Sequence, residues 1–406
     1  MSAAVERFDV VVLGAGPAGA AITHSLVRRG LSVALVDPVI ERAWMHTLGS
    51  WVDDFDPCDD SIVLKGLARR TWPSVRVVGE REHELARPYL VFDNAALRAH
   101  LVGIGFRPFA CRATSVVSRV DADGYQREVG LSSGENVAAR VVVDAGGSSS
   151  GFLERQRHRA TGVQSAYGVV TTRGDLVPPG SFTLMDWRPA TDRAGRPTFL
   201  YAMDLGDGRA MVEETSLVEP EARSATELRE LLHARLGRDV TADALDIEDV
   251  HIAMGGAPPE PSTRVVGFGA AGGFIHPVTG YSVAASLRAA PRLAAAIQEV
   301  VGRGSSSDEI TRRAWDVLWP ASLRRTRALH DYGLAALNHL RASDIQRFFD
   351  GFFELPEEAW SGYLRIDTAP VEIARTMTTL FSRLPRSLKV RIATCSPRAL
   401  SRLVVG

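Results

Sequence analysis

Residues 8–13 (FDVVVL) form a β-branched apolar run of the kind expected for a parallel strand buried on both faces. GAGPAG follows at 14–19, residues 20–29 read as a helix, and LSVALV at 31–36 reads as a second strand ending at Asp37. This is one βαβ unit of about 30 residues. Residues 61–100 give mixed signals and end in a helix over 94–103. The pattern at 107–143 predicts a β-meander, with strands near 110–120, 125–131 and 138–143 and turns at Asp123-Gly124 and Ser133-Gly134.

Four more strands are expected at 165–172, 181–187, 197–203 and 209–217, then a helix at 225–236. RVVGF at 264–268 reads as another buried strand, followed by a glycine-rich loop and a helix over about 281–300. From 308 the periodicity is helical, with Asp308, Ser343 and Pro356 at helix starts. The pattern predicts an α/β chain with a nucleotide-binding domain in pieces (1–60, 61–150 and 262–300). A β-rich substrate domain (151–261) is inserted, and a helical region (301–406) closes the chain.

Composition narrows the function classes. The chain has 406 residues, 45% apolar and 23% charged, as in an ordinary globular protein with a large core. Its 47 basic and 48 acidic residues leave no basic field for nucleic acid. Cys58, Cys111 and Cys395 are too few and too scattered for a disulfide scaffold or a zinc site. A reducing, cytoplasmic setting is expected, without a secretory signal or a spanning segment. No oligomeric state is indicated.

The chemistry begins at the first loop. Gly14 permits a tight turn, Gly16 lets a pyrophosphate approach the backbone, and Gly19 lets the helix pack against the strand. Pro17 and Ala18 lie in the same loop, and the N-terminus of the helix that follows faces the phosphates. Asp37 lies 18 residues beyond Gly19, where a carboxylate can accept ribose hydroxyls. A second strand-plus-glycine element, VVVDAGG, places Gly146 and Gly147 beside the same site, and the fold returns near 264. That split arrangement favours FAD over NAD. Five glycines and a proline within 267–282 mark a costly loop, and amides near Thr279, Gly280 and Tyr281 are expected to face a flavin ring. His276 is a candidate for contact with substrate or flavin.

GAGPAG and the split fold resemble the flavoprotein hydroxylase superfamily. Seven segments resemble, more narrowly, the lycopene β- and ε-cyclases: GSWVDDFD (49–56), FTLMDWRP (182–189), PTFLYAMD (197–204), MVEETSLV (211–218), AMGG (253–256), FGAAGGFIHPVTGYSV (268–283) and RFFDGFFELPEEAWSGYL (347–364). Aromatic hydroxylases usually carry an aspartate after the glycine that is Gly269 here; this chain has Ala270. The resemblance implies a Rossmann-like FAD domain, reduced FAD with NAD(P)H as reductant, and closure of a six-membered ring at the end of a linear polyene without net redox.

Such a reaction needs a carboxylic acid that stays protonated near neutral pH, which burial and a second carboxylate favour. Glu213 and Glu214 offer a pair, but adjacent strand residues point to opposite faces, so only one can meet the substrate. The residue pattern leaves either open; the resemblance implies Glu213. Asp53, Asp54 and Asp186 fall in matching segments, Asp54 as a candidate for the catalytic set. Trp51, Trp187, Phe199 and Tyr201 are candidates to line an apolar pocket and stabilise a cation.

The expected partner is an apolar polyene or terpenoid. Seven basic residues over 373–406, with Met377, Leu380, Phe381, Leu384 and Leu388 at near-helical spacing, fit either an amphipathic patch on anionic lipid or a docked helix with a solvated basic face. Two alternatives stand beside the cyclase: an FAD-dependent monooxygenase or epoxidase of terpenoids or polyketides, and a non-catalytic flavin-binding carrier.

Overall fold

The computed structural model describes residues 5–55, 66–103, 105–119, 125–153, 162–172, 174–188, 195–255, 258–260 and 264–394. Cys58, Cys395, Arg398, Arg402 and the Asp123-Gly124 turn lie outside these.

The chain opens with β1 (Glu6–Leu13), α1 (Pro17–Arg28) and β2 (Val33–Val36). Next come β3 (Gly49–Trp51), β4 (Ala68–Trp72), β5 (Val75–Val78), β6 (Glu82–Leu85), β7 (Tyr89–Phe92) and α2 (Asn94–Val102). The meander is β8 (Arg107–Phe109), β9 (Ala113–Ser118), β10 (Arg127–Leu131) and β11 (Asn136–Asp144). Then follow β12 (Gly162–Thr171), β13 (Phe182–Asp186), β14 (Thr198–Gly206), β15 (Arg209–Ser216), α3 (Ala225–Leu236), β16 (Ala244–Met254), β17 (Val266–Gly267) and α4 (Val283–Gly302). Among the described residues six helices follow: α5 (Ser307–Leu318), α6 (Ala321–Asn338), α7 (Ala342–Phe353), α8 (Glu357–Tyr363), α9 (Pro370–Arg383) and α10 (Arg386–Thr394).

The first sheet has the order β8-β2-β1-β11-β10-β9, with β17 also on β11. β1 pairs in parallel with both β2 and β11, and Val10, Val11 and Val12 are completely buried. Helices α1 and α4 pack together, and Ile22, Leu26, Leu293 and Ile297 join one core with the sheet. The parallel centre explains why these strands read as unbroken apolar runs.

The second sheet has the order β16-β12-β15-β14-β13-β5-β6 and is antiparallel except between β13 and β5. The mixed stretch 61–100 therefore serves two sheets. β5 and β6 extend the second, whereas β4 and β7 join β3 in a small third one. One face of the second sheet carries α3, through Leu228 and Leu232 against Val169 and Val212. The C-terminal helices pack on it through Trp187, Phe199 and Phe349.

Helix starts follow their caps. Ser224 accepts from the Glu227 amide, and Gly237, at φ 68°, ends α3 in the left-handed region that glycine tolerates. α5 starts at Ser307, capped by Ser306, so Asp308 lies inside its first turn. α7 starts at Ala342, one residue before Ser343, and Pro356 precedes α8 as expected.

Candidate functional site

The glycine loop between β1 and α1 is shaped by backbone crowding. A Cβ at Gly14 would lie 2.6 Å from the Ala145 carbonyl oxygen, and one at Gly19 would lie 1.8 Å from that of Gly14. At Gly16 and Gly147 a Cβ would meet nothing within 4 Å, so the strand ends are packed while the space before them is open. α1 has no side-chain cap and no acidic residue in its first turn, which leaves its leading amides suited to a phosphate. Asp37 ends its strand beside this loop, and its carboxylate accepts the Ala15 and Val39 amides at 2.8 Å each. The Gly146 amide donates to buried Asp144 at 2.9 Å. This cradle fits a dinucleotide.

The loop before α4 differs from the expected arrangement. The amides of Thr279, Gly280 and Tyr281 are spent inside the turn, on His276 Nδ1, the His276 carbonyl and Thr279 Oγ1 respectively. The donors that remain belong to the first turn of α4, where Ser282, Val283 and Ala284 line the cavity. His276 is completely buried; its Nε2 donates to the Tyr363 carbonyl at 3.0 Å while Nδ1 accepts the Val278 and Thr279 amides. Burial pushes its pKa down to about 3. His276 therefore holds the turn as a neutral ring and does not line the cavity, which removes it from the catalytic set.

A cavity of about 890 Å³ spans the molecule from this cradle to the C-terminal helices. Gly147, Ala270 and Tyr281 line one end. Phe349, Phe352, Met377, Leu384 and Ile392 line the other, and Thr378, Phe381 and Ala393 both line it and reach solvent between α9 and α10. Of the four aromatic candidates, Phe199 and Tyr201 line the cavity. Trp187 stacks on Phe349 instead, and Trp51 packs against Tyr89 and Trp360, so both are core.

The second sheet supplies the cavity's carboxyls. Tyr201 on β14 is opposite Glu213 on β15, Glu213 is opposite Gly168 on β12, and Gly168 is opposite Glu248 on β16. Residues directly opposite share a face, so this row turns Tyr201, Glu213 and Glu248 toward the cavity. Gly168 makes the row possible: a Cβ there would stand 3.2 Å from Glu213 Oε2. Thr215 Oγ1 donates to Glu213 at 2.6 Å. Burial, above all, raises the Glu213 carboxyl to about 7; the Thr215 bond opposes this, and Glu248 and Glu214 add to it.

Glu214 points the other way. It is 1% exposed and bound at both oxygens by Arg235 of α3, at 2.7 Å each. It is a structural carboxylate, so the acidic pair splits into one cavity residue and one buried ion pair. Asp54 lines the cavity but faces Arg87 at 3.1 Å, Arg288 at 3.8 Å and Arg365 at 3.9 Å. Burial pushes its carboxyl up and the three guanidiniums pull it down. Asp53 pairs with Arg87, and Asp186 with Arg188, outside the cavity. The Arg87 guanidinium lies over Trp51, 4.5 Å from the ring centre.

Sequence reasoning missed Glu248, Tyr89 and Arg87. Tyr89, Tyr201 and Tyr281 line the cavity together, and burial pushes the Tyr89 phenol well above its ordinary value. The signal for Glu248 was inverted: on β16 the apolar Leu245 and Ile247 face solvent, 56% and 49% exposed, and the acid faces in.

The lycopene cyclase protein family model matches residues 9–389. The chain is 36% identical to an uncharacterized carotenoid cyclase of Deinococcus radiodurans, covering 98% of this chain and 96% of the relative. It is 33% identical to a lycopene beta cyclase of Synechococcus elongatus, covering 94% and 95%. Among solved structures, a geranylgeranyl bacteriochlorophyll reductase-like protein of Thermoplasma acidophilum superposes with TM-score 0.66 at 15% identity, covering 99% of this chain and 100% of that one. A probable FAD-dependent monooxygenase of Pseudomonas aeruginosa gives TM-score 0.57 at 18% identity, covering 84% and 97%. The chain thus shares its overall fold with these two proteins. The chain belongs to the lycopene cyclase family and is a lycopene cyclase-like enzyme.

Proposed function

We propose that this protein binds FAD, uses it in the reduced form with NAD(P)H as reductant, and closes a six-membered ring at the end of a linear carotenoid without net redox. The observation that carries the reading is Glu213: a carboxyl raised to about 7, set in the wall of a long, mainly apolar cavity that adjoins the dinucleotide cradle. Family membership and the carotenoid cyclases among the relatives support the substrate class.

Gly14, Gly16, Pro17, Ala18 and Gly19 would hold the pyrophosphate, Asp37 the ribose, and Gly146, Gly147 and the first turn of α4 the ring system. When bound, a reduced flavin supplies negative charge beside a developing cation. Glu213 gives its proton to a terminal alkene, and the internal alkene attacks the resulting cation. Phe199, Tyr201 and Phe349 line the apolar wall, hold the chain and exclude water. A volume of about 890 Å³ is at the upper end for ligand pockets and suits a long substrate.

The polyene enters from a bilayer between α9 and α10. No helix among the described residues is long and apolar enough to cross a membrane. Phe381 at that mouth is 37% exposed, and Val371, Val390, Arg375, Arg383 and Arg386 on the same two helices are exposed too. This favours contact with an anionic surface.

The test is anaerobic incubation with dithionite-reduced FAD and lycopene. A cyclic product of unchanged mass is expected. In a parallel aerobic incubation with NAD(P)H, a product heavier by one oxygen atom, absent without O₂, would instead make the enzyme a monooxygenase.

A further inference from the structure

Ring closure moves two protons: one enters the alkene and a different one leaves the ring. We propose that Glu248 is the base that takes the second proton, paired across Gly168 with Glu213 as the acid; this rests on the cyclase reading above.

The two carboxyls occupy matched positions on either side of a residue without a side chain, and both line the cavity. Their surroundings differ. Glu213 accepts one hydroxyl, from Thr215, and no ion pair to it is found among the described residues. Glu248 accepts the Thr47 amide at 2.9 Å and the Thr47 hydroxyl at 2.6 Å, and His46 Nδ1 lies 3.9 Å away. Those three groups favour the ionised form. Of two carboxyls in one cavity the one with more donors ionises more readily, so the proton rests on Glu213 and the charge on Glu248. Tyr201 from β14 also faces Glu213, and Arg235 is committed to Glu214 on the opposite face.

The step balances without an oxidant. The Glu213 O–H proton goes to the terminal alkene carbon, and the internal alkene's electron pair forms the new C–C bond. A C–H bond beside the resulting cation breaks; its electron pair becomes the ring double bond and its proton goes to Glu248. His46, with its side chain 58% exposed, carries that proton to solvent, and once product leaves, water entering the emptied cavity restores the one on Glu213.

The position of the base decides which proton leaves, and hence where the ring double bond lies. Glu248→Gln is therefore expected to lower ring closure by about 10²-fold or more. The residual product becomes a mixture of double-bond isomers or a water-captured alcohol. Glu248→Asp retains the wild-type isomer at reduced rate, which guards against a folding artefact; flavin absorbance checks both variants. Glu213→Gln lowers every ring product together, by about 10²–10⁴-fold. A Glu248→Gln enzyme that makes only the wild-type isomer, fast or slow, overturns the assignment. If the wild type itself closes no ring, the cyclase reading has failed rather than the choice of base.

Discussion

Glu213 and Glu248 lie in register with the same residue, Gly168, from opposite sides, and both line the cavity. A sheet normally separates such positions with a side chain. Here the glycine leaves no side chain between them on the cavity face of the sheet. Both are raised by burial; Glu213 accepts one compensating bond, from Thr215, whereas Glu248 accepts two from Thr47 and has a nearby imidazole.

Gly168→Ala fills that gap. Its methyl would stand 3.2 Å from Glu213 Oε2 and from the Met211 terminal methyl. A tightened core of this kind destabilises by about 1–3 kcal/mol. We expect a folded enzyme that retains flavin but loses most turnover because Glu213 is displaced. Steady-state cyclisation at fixed flavin content checks this; unchanged turnover would separate Gly168 from the site.

Glu213→Gln is expected to fold and to lower cyclisation by about 10²–10⁴-fold, the usual contribution of a positioned acid. Product chromatography beside the flavin spectrum is the measurement. A carrier without catalysis would show no turnover to lose.

The raised Glu213 carboxyl gives stability a defined pH dependence. In the unfolded chain it ionises near its ordinary 4.5, in the fold near 7. Between these values the native state holds a proton that the unfolded state has released, so stability falls as pH rises. The total reaches about 3 kcal/mol by pH 7 and changes little above it. Cyclisation should decline by about tenfold per pH unit above 7, as the protonated acid disappears. Melting curves from pH 4.5 to 8 for wild type and Glu213→Gln test the first part: the difference between them should shift in favour of Gln as pH rises.

Glu214 separates stability from chemistry. Removing Arg235 with Arg235→Met leaves a carboxylate 1% exposed without its two bonds, and breaking a buried pair costs about 3–5 kcal/mol. Chemical unfolding should register that loss, while turnover per folded, flavin-bearing molecule stays near wild type. A selective loss of turnover would return Glu214 to the catalytic set.

Much of this was legible in the residues because the first sheet is parallel and buried. β1, β2 and β11 each carry an apolar run that only such a strand needs, and Gly14 and Gly19 stand where backbones collide. Strand alternation limited the Glu213–Glu214 pair to one cavity residue, and the register assigns that place to Glu213. Other features were hidden by distance along the chain. Asp54 meets Arg288 and Arg365 across more than two hundred residues, and β5 joins β13 from a segment without clear periodicity. His276 looked reactive because a histidine in a glycine-rich loop carries no sign of its hydrogen bonds; three of them turn it inward.

The most direct measurement is the mass and isotope content of the product formed from lycopene in D₂O, under anaerobic conditions with reduced FAD. Proton-driven closure places one deuteron in each ring and leaves the molecular formula otherwise unchanged. A product without solvent deuterium, or one that carries an added oxygen, would contradict an acid-initiated cyclisation.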